Sequence, residues 1–134
     1  MSFEDELKEL IQNAKSRAER SSKESLDFSN GWQSKKLNVV QPVLDRTVKV
    51  LAGYPEFDAG FRLHNGSISL KIVRGNNPAQ MVVNELTFSA IEADREVSCY
   101  YRNPQLVTES FTLDSLDASA VQRKVKEFLS VALA

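Results

Sequence analysis

Two reverse bends, and the alternation on either side of them, constrain this chain more than any other feature. Asn65-Gly66 separates Phe61-Arg62-Leu63-His64 from Ser67-Ile68-Ser69-Leu70, and both turn residues accept the positive φ of a type I′ hairpin turn. That turn opposes His64 to Ser67, Leu63 to Ile68, Arg62 to Ser69 and Phe61 to Leu70. Opposed residues on antiparallel strands share a face, so Phe61, Leu63, Ile68 and Leu70 make an apolar side and Arg62, His64, Ser67 and Ser69 a polar one. A slip of one residue would mix the two. The second bend, Ala93-Asp94, opposes Glu92 to Arg95, Ala90 to Val97, Phe88 to Cys99 and Leu86 to Tyr101, again with the apolar residues together.

The rest of the β region follows from the same period. Gly75-Asn76-Asn77-Pro78 and Asn103-Pro104 are further turns. Strands are expected over Gln80 to Glu92, Arg95 to Arg102 and Leu106 to Leu113, the last with Val107, Phe111 and Leu113 inward.

Helical spacing brackets this region. Phe3, Leu7, Leu10, Ile11, Ala14 and Ala18 form one stripe on a helix from Ser2, its expected N-cap, to about Glu24. Ser21-Ser22-Lys23 and Ser29-Asn30-Gly31 then read as fraying and a break. A second helix is expected from about Ser34 to Ala52, with Leu37, Val40, Val43, Leu44, Val48 and Leu51 on its apolar side. Pro42 either kinks it or serves as its first residue, with Gln41 just before. A final helix begins after Asp117 as N-cap, with Leu116 and Val121 placed for a hydrophobic staple and Val125, Phe128, Leu129 and Ala132 continuing the stripe. The expected fold is therefore α+β: an antiparallel β-meander of four to five strands flanked by N-terminal helices and one C-terminal helix. With 134 residues, a single domain over 1–134 is expected.

Charge and cysteine usage narrow the function. Seventeen basic residues stand against eighteen acidic ones. A basic excess usually carries binding to nucleic acid or anionic membrane, so neither partner is expected. One cysteine, an acidic start at Glu4-Asp5-Glu6 where a leader peptide would be basic, and no apolar run near the ~20 residues of a spanning helix point to the cytoplasm.

The chain holds one histidine, His64, and one cysteine, Cys99. A zinc site built from Cys and His needs about four ligands. A Ser-His-Asp or Cys-His pair would need His64 as base, and the register puts His64 and Cys99 on opposite faces. Neither phosphate-binding glycine fingerprint is present. No catalytic residue, metal ligand or cofactor is assigned, and the balance leans against an enzyme.

Two binding surfaces remain. One is the polar sheet face, where Tyr100 would anchor a partner and Arg62, His64, Lys71 and Arg102 would meet its polar and acidic groups; the competing reading is an ordinary solvated face. The other is Phe28 and Trp32, which lie in an irregular stretch and either plug the core edge or anchor a second chain. The first helix, in excess of what the sheet needs, is a further docking element and suggests a homodimer. The expected function is a non-enzymatic protein-interaction module, of adaptor, chaperone or inhibitor type, docking on another protein or itself through its sheet face or N-terminal helix. The alternative is a small-ligand binder or enzyme with a pocket between sheet and helices, lined by Tyr54, Asn84, Glu85 and Tyr101.

Overall fold

A computed structural model describes residues 2–74, 82–102 and 106–133. The expected turns at 75–78 and 103–104 lie outside these residues.

Helix α1 spans Phe3–Lys35, about 50 Å at 1.5 Å per residue. The Ser2 side chain caps it, its Oγ accepting from Asp5 N at 3.3 Å. The expected break at Ser29-Asn30-Gly31 does not occur, nor does the helix end near Glu24. Phe28 and Trp32 flank that segment and are 5% and 1% exposed, so their burial outweighs the weak propensity between them. Gly31 is closely approached: a Cβ there would lie 2.7 Å from Leu113 Cδ1. The crowded atom ends a flexible side chain. Gly31→Ala should therefore combine a propensity gain with a small repacking loss and move stability by less than about 1 kcal/mol. Gly31→Val, which forces a branched side chain into the contact, should lose roughly 1–3 kcal/mol in urea unfolding.

The helical rod continues through a wide π-helical turn, Lys36–Val40, into α2, Gln41–Leu51. The wide turn resolves the problem set by Pro42, which lacks an amide donor and would crowd the carbonyl four residues back. Gln41 N–H donates instead to Lys36 O, five residues earlier. It also corrects a phase. The Phe28–Trp32 stripe and the Val40–Val43–Leu44–Leu51 stripe differ by about 100°, one residue of an α-helix, and the wide turn absorbs that residue so that both meet the sheet. Leu37, expected on the apolar side, falls on the outside of this turn and is 49% exposed.

The sheet is a five-stranded antiparallel meander in the order β1 (Phe57–Leu63), β2 (Ser67–Arg74), β3 (Val82–Ile91), β4 (Glu96–Arg102), β5 (Glu109–Phe111). Phe61↔Leu70, Leu63↔Ile68, Phe88↔Cys99 and Leu86↔Tyr101 pair as the pattern predicts. β5 is shorter than expected, and Val107 is 85% exposed rather than inward. Helix α3, Ala118–Ala132, packs back on the sheet; Asp117 Oδ1 accepts from Ala120 N at 2.8 Å, and Leu116 and Val121 are fully buried. The core lies on one sheet face, between Ile68, Leu70, Ile72, Leu86, Phe88 and Val97 below and Trp32, Val40, Leu44, Val121 and Phe128 above. The fold is α+β.

The first hairpin departs from expectation in its turn. Neither Asn65 nor Gly66 takes a left-handed φ; Arg95, at φ 51°, is the non-glycine residue among those described that does. The tip is held from outside. Trp32 Nε1 donates to Gly66 O at 3.0 Å, Gln33 Nε2 to Asn65 O at 2.7 Å, and Lys36 Nζ to His64 O and Asn65 O at 2.7 and 3.1 Å. These helix-borne donors, rather than the local Asn-Gly preference, set the turn.

Candidate functional site

Ser2 and residues 3–27 of α1 are exposed along their whole length, so about the N-terminal three quarters of the helix stand off the body as an arm. At the base of the arm Glu24 meets Arg95 of the β3–β4 bend at 3.2 Å. The arm is nonetheless amphipathic. Phe3, Leu7, Leu10 and Ile11 are 68, 41, 62 and 57% exposed on one stripe, which Ala14, Ala18, Ser21 and Ser25 continue to Phe28 and Trp32. Four large apolar side chains on one solvent-facing stripe are uncommon outside interaction surfaces. Phe28 and Trp32 themselves are core residues; the edge of the core needed filling where α1 meets the hairpin tip, so neither offers a surface to a partner.

The polar sheet face is built as the alternation implies. Arg62, Ser69, Thr87 and Tyr100 form one row across β1 to β4; Lys71, Glu85 and Arg102 form a second, and Ser67, Ser89, Ser98 and Ser110 a third. Arg62 and Arg102 are exposed, Lys71 is half-buried and Tyr100 is 43% exposed. At about 4.8 Å per strand, Arg62 stands roughly 14 Å from Tyr100, so these groups share a face without converging on one point. The centre is less solvated than expected. Ser69 and Thr87 are nearly buried and share a 3.0 Å hydrogen bond between their hydroxyls, and Thr87 Oγ1 donates to Glu85 Oε1 at 3.3 Å. His64 is exposed beside the hairpin tip, remote from buried Cys99. Burial pushes the Cys99 thiol up to about 12, which leaves it unreactive.

A charged cluster escaped the sequence reading. Lys124 is 2% exposed, yet its Nζ lies 2.8 Å from Glu127 Oε2, 3.3 Å from Glu109 Oε1 and 5.3 Å from the centre of the Tyr101 ring. Arg123 joins it with a 2.7 Å bond from Nη2 to Glu109 Oε2. Burial alone would lower the Lys124 pKa; the Glu127 carboxylate, with Tyr101 and Glu109, more than offsets it, and the pKa is raised. Burial also takes the Tyr101 phenol up to about 12. The signal was there to find. Lys124 lies within the Val121–Val125–Phe128 stripe, and Glu109 occupies an inward position, two before Phe111. A hollow of 330 Å³ opens beside the cluster, walled by Leu106, Val107 and Val131.

A larger hollow of 480 Å³ lies between α2 and α3, lined by Val43, Val50, Leu51, Val125 and Leu129 with Arg46 and Lys126 at its rim. It is not the pocket expected between sheet and helices. Tyr54 is exposed beyond α2, Glu85 is on the outer sheet face, Asn84 is buried on the inner face and Tyr101 belongs to the Lys124 cluster. Among the described residues, every buried side-chain nitrogen or oxygen has a hydrogen-bond partner, and no group of three His, Cys, Asp or Glu could hold a metal ion. No described helix is long and apolar enough to cross a membrane. Comparison with protein families, curated proteins and solved structures finds no match for this chain.

Proposed function

We propose that this protein is a non-enzymatic interaction module, of adaptor, chaperone or inhibitor type, that docks another chain through the α1 arm, with the outer sheet face as a second surface. The observation that carries the reading is the arm: a helix whose apolar stripe is exposed from Phe3 to Ile11. A solitary helix owes most of its stability to tertiary packing of that stripe, and here the rest of the described chain supplies none. A partner that buries it would stabilise both the helix and the complex.

The test uses the full chain as bait. Proteins retained in stoichiometric amount should be released by Leu7→Asp with Ile11→Asp, or by Tyr100→Ala with Arg102→Glu, in variants that melt at the parent temperature. Retention indifferent to both pairs would end the reading. Because the arm packs on nothing in the body, removing residues 2–23 should shift the melting temperature by less than about 2 °C, the change equivalent to roughly 0.5 kcal/mol.

The hollow between α2 and α3 favours a second reading, a small-ligand binder. Its volume lies in the range of ligand sites, and Arg46 and Lys126 over an apolar floor suit an amphiphile with an acidic head. A medium-chain carboxylate that raises the melting temperature of the parent, and not of a Val125→Trp variant, would support it; no shift with any chain length would remove it.

A further inference from the structure

We infer that the occupant of the α1 arm is a second copy of this chain, paired antiparallel along the arm and crossing it near Gln12. The inference rests on the interaction reading above and names its partner.

Three features of the arm converge on that geometry. The first is charge. Residues 3–11 carry Glu4, Asp5, Glu6 and Glu9 against Lys8, a net −3, and residues 13–23 carry Lys15, Arg17, Arg20 and Lys23 against Glu19, a net +3. An antiparallel pair about Gln12 lays each acidic half beside a basic half, whereas a parallel pair lays acid on acid and base on base. The second is size. The acidic half bears the large side chains and the basic half the small ones. Antiparallel pairing sets Phe3 opposite Ser21 and Leu10 opposite Ala14, and brings Leu7 opposite Arg17, next to Ala18, so bulky groups enter space left by small ones. A parallel pair would stack Phe3 on Phe3 and leave gaps at Ala14, Ala18 and Ser21.

The third is length. The body begins to contact α1 at Glu24, through Arg95, and takes it into the core at Phe28. A crossing at residue 12 puts Ser2 of one copy opposite Ser22 of the other. The overlap thus fills the free arm and stops short of the body. Because the axis relates each half to the other, the contact is made twice and closes on itself, giving a dimer rather than a chain of copies.

Light scattering on the full chain at tens of micromolar should give twice the 15.0 kDa chain mass, falling to the single mass in Leu7→Asp/Leu10→Asp. A parent of single mass would overturn the inference, as would a double mass that survives those changes. Orientation is read by a short bis-maleimide. Phe3→Cys and Ser21→Cys chains should cross-link when mixed and not separately, and native Cys99, buried and with its thiol pKa raised, should not react. Cross-linking of Phe3→Cys chains to one another would establish parallel pairing and overturn the antiparallel one. Reversing Glu4, Glu6 and Glu9 to Lys should give monomers by setting base against base, and reversing Lys15, Arg17, Arg20 and Lys23 to Glu should do so by setting acid against acid; mixing the two should restore the double mass. A monomeric chain that still captures a different protein through its arm sinks this inference and spares the interaction reading, while a monomer with no captured partner sinks both.

Discussion

Trp32→Ala is expected to remove about 3–5 kcal/mol of folding stability, a large part of the roughly 5–15 kcal/mol that domains possess. The side chain is 1% exposed and fills the angle between α1, the first hairpin and the sheet. Its truncation leaves a cavity among residues that cannot collapse together, because α1 is a continuous rod and β2 of the hairpin is held in register between β1 and β3. It also frees Gly66 O, which keeps the Ala90 amide at 2.9 Å but loses the indole at 3.0 Å. Trp32→Phe separates the two effects. It preserves most of the filling and deletes the donor, for a loss of about 1–2 kcal/mol. Trp32 is the one tryptophan, so urea unfolding should be followed by circular dichroism. Hydrogen exchange at the His64 amide, bonded to Ser67 O, reports on the tip directly. A loss under about 1 kcal/mol for Trp32→Ala would show that the junction between arm and sheet is held elsewhere.

The second large effect lies at Lys124, and its sign depends on which partner is removed. Glu109→Gln with Glu127→Gln leaves a nearly buried ammonium without a counter-charge and should cost about 3–5 kcal/mol near neutral pH. Lys124→Met keeps the buried stem, removes the charge and releases two carboxylates that stand more than a third exposed; water screens them, and the change should be close to neutral. The pH dependence separates the variants further. The Arg123 guanidinium holds Glu109, and the Lys124 ammonium holds Glu127, below the ordinary carboxylate value of 4.5. Their contribution is therefore complete above that value and is lost as pH falls through the lower folded values. Lys124, raised above its ordinary 10.5, contributes fully below that value and loses its contribution as pH rises through the folded one. Unfolding curves of the parent should fall away at both ends. In the double Gln variant the acid fall from this pair should vanish, and stability should climb with pH as the stranded amine gives up its proton. A double variant as stable as the parent at neutral pH would mean that Lys124 reaches water.

Much of the fold was legible where two independent signals agreed. At both hairpins the turn residues and the alternation pointed to one register, and the pairs from Phe61↔Leu70 to Leu86↔Tyr101 follow it. Ser2 and Asp117 announced their caps because an N-cap is a local hydrogen bond. The misreadings occur where a distant contact overrides a local preference. Gly31 resembles a helix breaker until Leu113 is placed beside it, and Asn65-Gly66 resembles a type I′ turn until three helix side chains claim its carbonyls. Pro42 is legible as an opening residue of a helix that begins at Gln41, and α2 does begin there; the wide turn that joins it to α1 is not legible, because it answers a mismatch between two distant stripes. The arm was half visible: its stripe could be read, but its exposure could not, because periodicity reports which residues share a face and not what covers them. Lys124 went unremarked because a lysine within an apolar stripe is usually treated as a gap in it.

The wide turn also carries a consequence for how this gene can change. One residue of helix corresponds to about 100° of rotation, and the five residues Lys36–Val40 hold one more residue than the phase of the rod would otherwise allow. A single codon lost there would close the turn to an ordinary one and keep both stripes in phase. A codon lost between Glu24 and Asp27 would meet no wide turn to absorb it and would spin the arm's seam by more than a quarter turn relative to the sheet. Descendants carrying the latter deletion could still fold their cores, yet would present the wrong side of the rod to whatever the ancestral form embraced.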